Sequence, residues 1–307
     1  MSNRTSRTRP AARLVRLALA AVVGLTCLFA VGRQAGATPK TAAATASVQH
    51  LERRPAGPTT GPDATKSLQP RCSSNSKHVI GGGGVVDDGG AHRVMLTGMQ
   101  PFDASPDGFT VVAKAPPGFT SNWTLTAYVI CADAAPLTGW EINPGPITNV
   151  PASSAIQSAT AQETCSTSSK KVIGTGAFVS QSSVPTSEVG LQTFRSDADR
   201  NAAKAWARED ANGFSGTWSM AAFAICTDPV PGTGISGVLR EGSEADVLCF
   251  SGPTSYVAGA AGGAGPSAVF LQRVEPSANR RRLDVATTGA DPTGIIAQAI
   301  CVPATLA

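Results

Sequence analysis

Seven cysteines, three histidines and a run of four glycines are the residues of this chain that most invite chemistry. The stretch 72–84, "CSSNSKHVIGGGG", gathers all three kinds. A phosphate-cradling loop needs glycine amides that lead into a helix N-terminus, usually with a Lys-Ser or Lys-Thr pair. Here Gly81–Gly84 run into Val85, Val86, Asp87, Asp88, Gly89 and Gly90, which carry no helix signal. The histidines are His50, His78 and His92. A hydrolytic triad needs a histidine between a nucleophile and an orienting acid. Asp87 or Asp88 with His92 would supply two members, but no G-x-S-x-G elbow occurs: "GFSG" at 213–216 and "GISG" at 234–237 both miss it. Asp197, Asp199 and Asn201 imitate the start of an EF-hand loop, yet Ala202 and Arg208 stand where glycine and glutamate are required. No pair among the carboxylates stands out for glycoside hydrolysis.

The cysteines gain meaning from their spacing. Cys27 falls in an N-terminal apolar run, which leaves six. Three segments each open on one cysteine and close on another. The first opens "CSSNSKHVIGGGG" and closes "NWTLTAYVICAD", from Cys72 to Cys131. The second opens "CSTSSKKVIGTGA" and closes "TWSMAAFAICTD", from Cys165 to Cys226. The third opens "CFSGPTSYVAGAAGGAG" and closes "TGIIAQAICVP", from Cys249 to Cys301. A middle motif recurs as "VMLTGMQPF", "VGLQTFRSD" and "VFLQRVEPS". Leu96 precedes Cys131 by 35 residues, and Leu191 precedes Cys226 by 35. Self-similarity of this kind marks one supersecondary unit used three times. The simplest wiring joins the first and last cysteine of each unit; pairing between units is the alternative. With all six cysteines paired, no thiolate remains for nucleophilic or zinc chemistry. The glycines, recurring in degenerate form at one place in each unit, read as a bulge, bend or close sheet approach. His78 aligns with Lys171 and Tyr256, a position that accepts any long polar group.

Elements must hold these residues in place. Before them, five arginines precede the apolar run Leu17–Val31, which is 15 residues long. That is short of the roughly 20 a spanning helix needs. Ala35-Gly36-Ala37 follows, so residues 1–37 read as a secretory signal peptide. The alternative is an uncleaved anchor. This segment holds six of the 25 basic residues and no acid, so the mature chain carries 19 basic against 21 acidic residues. The balance does not favour nucleic acid, and no membrane span is expected after cleavage. Residues 38–71, rich in Ala, Thr, Pro and Gly, read as a disordered linker. The repeat domain is expected over 72–307, with units at 72–133, 165–228 and 249–303.

Each unit offers about four strands: "KHVIGG" or "KKVIGTG", the leucine motif, a segment such as "GFTVVAKA", and the tryptophan strand. The stretch "SDADRNAAKAWARED" (196–210) has helical composition. Its Trp206 stands 20 residues before the closing cysteine, as Val111 does in the first unit, so the repeat assigns Ala203–Arg208 to a strand. A unit of about 60 residues buries little core alone. The fold expected is all-β: three homologous antiparallel sheet units forming a β-prism with pseudo-threefold symmetry, or else three tandem small β-sandwiches. This rhythm of cysteine, glycine-rich strand, apolar middle strand and closing strand resembles the β-prism of vitelline membrane outer layer proteins. The unit "K-x-V-I-G-x-G … W-x-x-x-A-(Y/F)-x-I-C" also resembles repeats in secreted actinobacterial and phage-type proteins of no agreed function.

Trp123 and Trp218 share one repeat position and read as core anchors. Trp140 lies outside the repeat pattern and is the better candidate for an exposed contact. Arg273 with Arg280, Arg281 and Arg282 forms the only basic cluster, a candidate for a small anion or an acidic polymer. The expected function is a secreted, disulfide-stapled, non-catalytic structural or binding protein, with polysaccharide or another cell-envelope component as partner and no cofactor or metal. The alternatives are an extracellular hydrolase and a protein-binding decoy or inhibitor.

Overall fold

The computed structural model describes residues 47–181, 188–249, 254–264 and 269–307. The expected signal segment lies outside these. Among the described residues the chain is all strand and connection, without a helix.

The first unit contributes β1 (Val48–Gly61), β2 (Thr65–Leu68), β3 (Lys77–Asp87), β4 (Met95–Phe102), β5 (Gly108–Lys114) and β6 (Trp123–Asp133). The second contributes β7 (Glu141–Pro144), β8 (Thr148–Val150), β9 (Ser158–Thr164), β10 (Lys171–Gln181), β11 (Val189–Ser196), β12 (Ala202–Glu209) and β13 (Trp218–Thr227). The third contributes β14 (Gly234–Leu248), β15 (Ser255–Ala264), β16 (Leu271–Pro276) and β17 (Arg282–Leu306). β14 and β17 are long because each does the work of two strands.

One correction to the sequence reading is clear. Residues 48–68, expected within a disordered linker, form β1 and β2. β1 runs antiparallel along β6, from Glu52 opposite Cys131 to Gly61 opposite Trp123. β2 pairs with β5. The composition misled because β1 is an edge strand, where Pro55 and Pro58 cost no ladder bond that the sheet needs. These strands are the counterparts of β7 and β9, and of the two halves of β14, which pair with the same partners in their own units. β1 also touches the chain's end: Val48 lies opposite Ala304 and Leu51 opposite Leu306, and both Val48 and Leu51 are fully buried.

Within each unit the glycine-rich strand pairs with the closing strand: β3 with β6, β10 with β13, β15 with the last part of β17. The leucine strand pairs with the next one: β4 with β5, β11 with β12, β16 with the first part of β17. The link between these pairs crosses unit boundaries. β4 pairs with β10, β11 with β15, and β16 with β3. The three units thus share their sheets in a ring, each lending one strand to the next.

The recurrent glycines sit where this ring is tightest. The register of each glycine-rich strand slips by one residue, between Val79 and Gly81, Val172 and Gly174, and Val257 and Gly259. The extra residue is a bulge. The glycine after it faces the neighbouring unit's bulge: a Cβ on Gly259 would lie 2.5 Å from the Ile173 carbonyl oxygen, and Cβ atoms on Gly174 and Gly81 would collide with the Ile80 and Ala258 carbonyl oxygens. Side chains are excluded because three backbones meet there.

The cysteines pair within units, Cys72–Cys131, Cys165–Cys226 and Cys249–Cys301, as the simplest wiring predicts. Leu96, Leu191 and Leu271 are fully buried. Trp123 and Trp218 are core residues: Trp123 Nε1 donates to the Asp63 carbonyl at 2.8 Å and Trp218 Nε1 to Glu209 Oε1 at 2.8 Å. The helical composition of 202–209 is overruled as the repeat predicts. β12 is held between β9 and β11, its burial alternates, and Ala203, Ala205 and Ala207 point inward.

Candidate functional site

Trp140 follows β6 and is half-buried, and its groups are already engaged. Its indole stacks on the His78 imidazole, centroids 3.8 Å apart and planes 4° from parallel. Its Nε1 donates to the Val79 carbonyl at 2.9 Å. Asp107 completes this cluster, with Oδ2 2.9 Å from His78 Nδ1 and accepting the Val79 amide at 3.3 Å. In the other units a backbone carbonyl does the work of Asp107: Arg200 O accepts the Val172 amide and Arg280 O the Val257 amide, at 2.8 and 2.6 Å. Trp140 and His78 therefore lock the first unit's hairpin to its glycine-rich strand. The expectation of Trp140 as an exposed contact is replaced by this role.

The arginine cluster does not converge on one point. Arg280 occupies a left-handed turn position, φ 58°, and burial lowers the pKa of its guanidinium. Arg281 lies 5.8 Å over the Tyr256 ring. Arg282 Nε is 3.0 Å from Asp284 Oδ1, and Arg273 Nε is 4.0 Å from Glu275 Oε2. Arg53, from β1, also reaches Glu275 at 3.1 Å. Asp246, Asp284 and Glu275 stand opposite one another across three strands. Burial raises the Asp284 pKa, Arg282 opposes this, and Glu275 and Asp246 add to the rise. Arg53, Arg273 and Arg282 thus spend part of the cluster's charge on Glu275 and Asp284.

Among the described residues, two groups have the composition of metal sites: Glu52 with Cys72 and Cys131, and Glu141 with Cys165 and Cys226. The sulfurs are spent in disulfides. The carboxylates clamp the residue after each opening cysteine. Glu52 accepts the Ser73 amide and hydroxyl, both at 2.8 Å, and Glu141 accepts those of Ser166 at 2.8 and 2.7 Å. Burial would raise the Glu141 pKa; Lys170 and Ser166 more than offset it and hold it at about 2. These are structural clamps.

Asp88 and His92 turn to other partners than each other's side chains. The Asp88 carboxylate accepts the amides of His92, Arg93 and Val94, at 3.0, 2.7 and 3.1 Å, and His92 Nδ1 faces Gln272 Oε1 at 3.1 Å. This loop borders an open cavity of about 500 Å³ where residues of all three units meet: His92, Arg93 and Met95 from the first, Glu188 and Asp210 from the second, Phe270 from the third. Burial raises the Glu188 pKa, and the neighbouring Asp210 and Glu209 charges raise it further. Glu188 and Asp210 are brought together by the β11–β12 hairpin, in which Val189 stands opposite Glu209.

The second distinctive surface is the outward side of β9, β11 and β12. Equivalent outward positions in the three shared sheets differ sharply. Where β11 carries Arg195, β4 carries Gln100 and β16 Glu275; each stands opposite the next residue named, Lys204, Thr110 or Asp284. Two residues further along, Trp206 corresponds to Ala286 and to Val112, not to the inward Val111 that its distance from the closing cysteine suggests, because the β4–β5 hairpin is one residue longer than the β11–β12 hairpin. The β11–β12 face sets the Trp206 ring among Arg195, Lys204 and Arg208. Lys204, Trp206 and Arg208 alternate along it, and Gln162, Thr160 and Ser158 of β9 stand opposite them. The Arg195 guanidinium lies 5.4 Å from the Trp206 ring. Sequence reasoning placed Trp206 on a strand but missed its role. The available signal was the alternation of small and long residues in "AAKAWARE".

No protein-family model matches the chain, and a comparison with curated proteins returns no match.

Proposed function

We propose that the protein is a secreted, non-catalytic module that binds an extracellular or cell-envelope polysaccharide on the outward face of β9, β11 and β12. The observation that carries this reading is Trp206 on an open sheet face, flanked by Lys204, Arg208 and Arg195 and by a row of hydroxyl and amide groups. A half-exposed indole offers its face to the C–H side of a sugar ring, and the polar row offers partners for hydroxyls. The three disulfides support an oxidising compartment. No described helix is long and apolar enough to cross a membrane. We read residues 1–37 as the export signal and the ring of shared sheets as the plan of a β-prism. Binding to a panel of cell-wall polysaccharides tests the proposal, with Trp206→Ala expected to abolish retention while the fold persists. Wild-type binding to none of them would refute it.

A second reading, an extracellular hydrolase, is favoured by one observation: the raised Glu188 carboxyl beside Asp210 in a cavity formed by three units. Its test is turnover of the same polysaccharides by wild type and Glu188→Gln. Equal reducing-sugar release by both would eliminate it.

A further inference from the structure

Arg195 and Lys204 stand directly opposite each other on adjacent antiparallel strands. Like charges so placed are destabilising. The equivalent pair in the β4–β5 sheet is the neutral Gln100 and Thr110. The equivalent pair in the β16–β17 sheet, Glu275 and Asp284, is also like-charged, but Arg53 and Arg282 neutralise it. Among the described residues, no carboxylate makes an ion pair with Arg195 or Lys204. The inward neighbours Ala203 and Ala205 fill the core, so packing does not require cations at these outward positions. Trp206 and Arg208 continue the face, with positions of one side recurring about every 6.6 Å along a strand. The result is a run of cation, ring and cation, with a second cation beside it.

We propose that the ligand of this face is an acidic polysaccharide with a carboxylate on each sugar, a polyuronate. This rests on the reading of the face as a polysaccharide site and adds the charge of the polymer. One sugar ring lies on Trp206, and the carboxylate of the neighbouring sugar meets Lys204 with Arg195. An anion there relieves the Arg195–Lys204 repulsion that the free protein bears. A neutral glycan leaves it in place.

The test uses the full mature chain and three probes: polygalacturonate, its fully methyl-esterified form and a neutral glucan. Affinity electrophoresis at low and physiological salt is expected to show polygalacturonate bound and weakened by salt. The methyl ester should bind roughly tenfold more weakly, and Arg195→Gln with Lys204→Gln should cost roughly tenfold against the acidic polymer. Arg240→Gln, which removes a cation on β14, three strands away from β11 in the same sheet, should leave binding unchanged. A thermal midpoint in the double variant at or slightly above that of the wild type, as relief of the Arg195–Lys204 repulsion requires, would show that the fold is intact. Equal binding of acid and ester would overturn the inference while leaving the polysaccharide reading standing. Binding of none of the three would remove that reading as well. A single-stranded DNA that binds as tightly as polygalacturonate would also overturn it, as the mark of an unselective cationic surface.

Discussion

Replacing Gly259 with alanine should cost far more than a methyl group ordinarily does. The new Cβ would lie 2.5 Å from the Ile173 carbonyl oxygen, 2.9 Å from Gly174 Cα and 3.1 Å from Ile300 Cδ1. The first two are backbone atoms of another unit, so no rotamer change relieves them. β15 or β10 must move by several tenths of an ångström, and each is held along its length by a closing strand. Overpacking of this kind costs about 1–3 kcal/mol. The upper end applies because the clash falls where three units meet. For a domain of this size that is a fall of roughly 6–12 °C in the unfolding midpoint. Gly234→Ala is the control, since nothing lies within 4 Å of its Cβ. Freed of a clash, it should be neutral or stabilising by about 0.5 kcal/mol through the unfolded state. Urea unfolding under non-reducing conditions, followed by tryptophan fluorescence, measures both. Indistinguishable stabilities for the two variants would refute the claim that the recurrent glycines exist for backbone contact between units.

Removing Cys165–Cys226 as a double alanine variant opens a loop of 61 residues and should lower stability by about 4 kcal/mol in the chain-entropy model, read by urea midpoint. Glu141 has its pKa depressed from 4.5 to about 2, so the stability it contributes is complete above pH 4.5 and disappears as pH falls towards 2. Its carboxylate is partly solvated, which reduces the contribution to about 1–2 kcal/mol; Glu141→Gln should flatten that part of the acid-unfolding profile, and an unchanged profile would refute the clamp. Trp218→Phe leaves the fully buried Glu209 without its indole donor and should cost about 2–3 kcal/mol. Trp206→Phe, on the outward face, should leave the thermal midpoint nearly unchanged.

Much of the framework was legible in the chain because the repeat carries it. Equal spacings from leucine to cysteine announced the wiring of the disulfides. They also overruled the helical composition of 202–209, which a single copy would not have permitted. Other features left no such trace. β1 and β2 looked like linker because edge strands tolerate proline, glycine and charge. Trp140 looked free because its partners, His78 and the Val79 carbonyl, lie 62 and 61 residues before it. Arg273 and Arg280–Arg282 looked like one basic cluster because sequence proximity hides the acids that stand across the strands.

The sequence by itself determined the strands inside the three repeats, the cysteines that pair and the recurrence of glycine at one structural position, because these are local or periodic properties. Only the tertiary structure decided which unit each glycine touches, since β4, β11 and β16 pair outside their own units. The same ring of exchanges decided which outward side chains share a face. It set Arg195 against Lys204 beside Trp206, and Glu275 against Asp284, because cross-strand neighbours are fixed by register and not by distance along the chain.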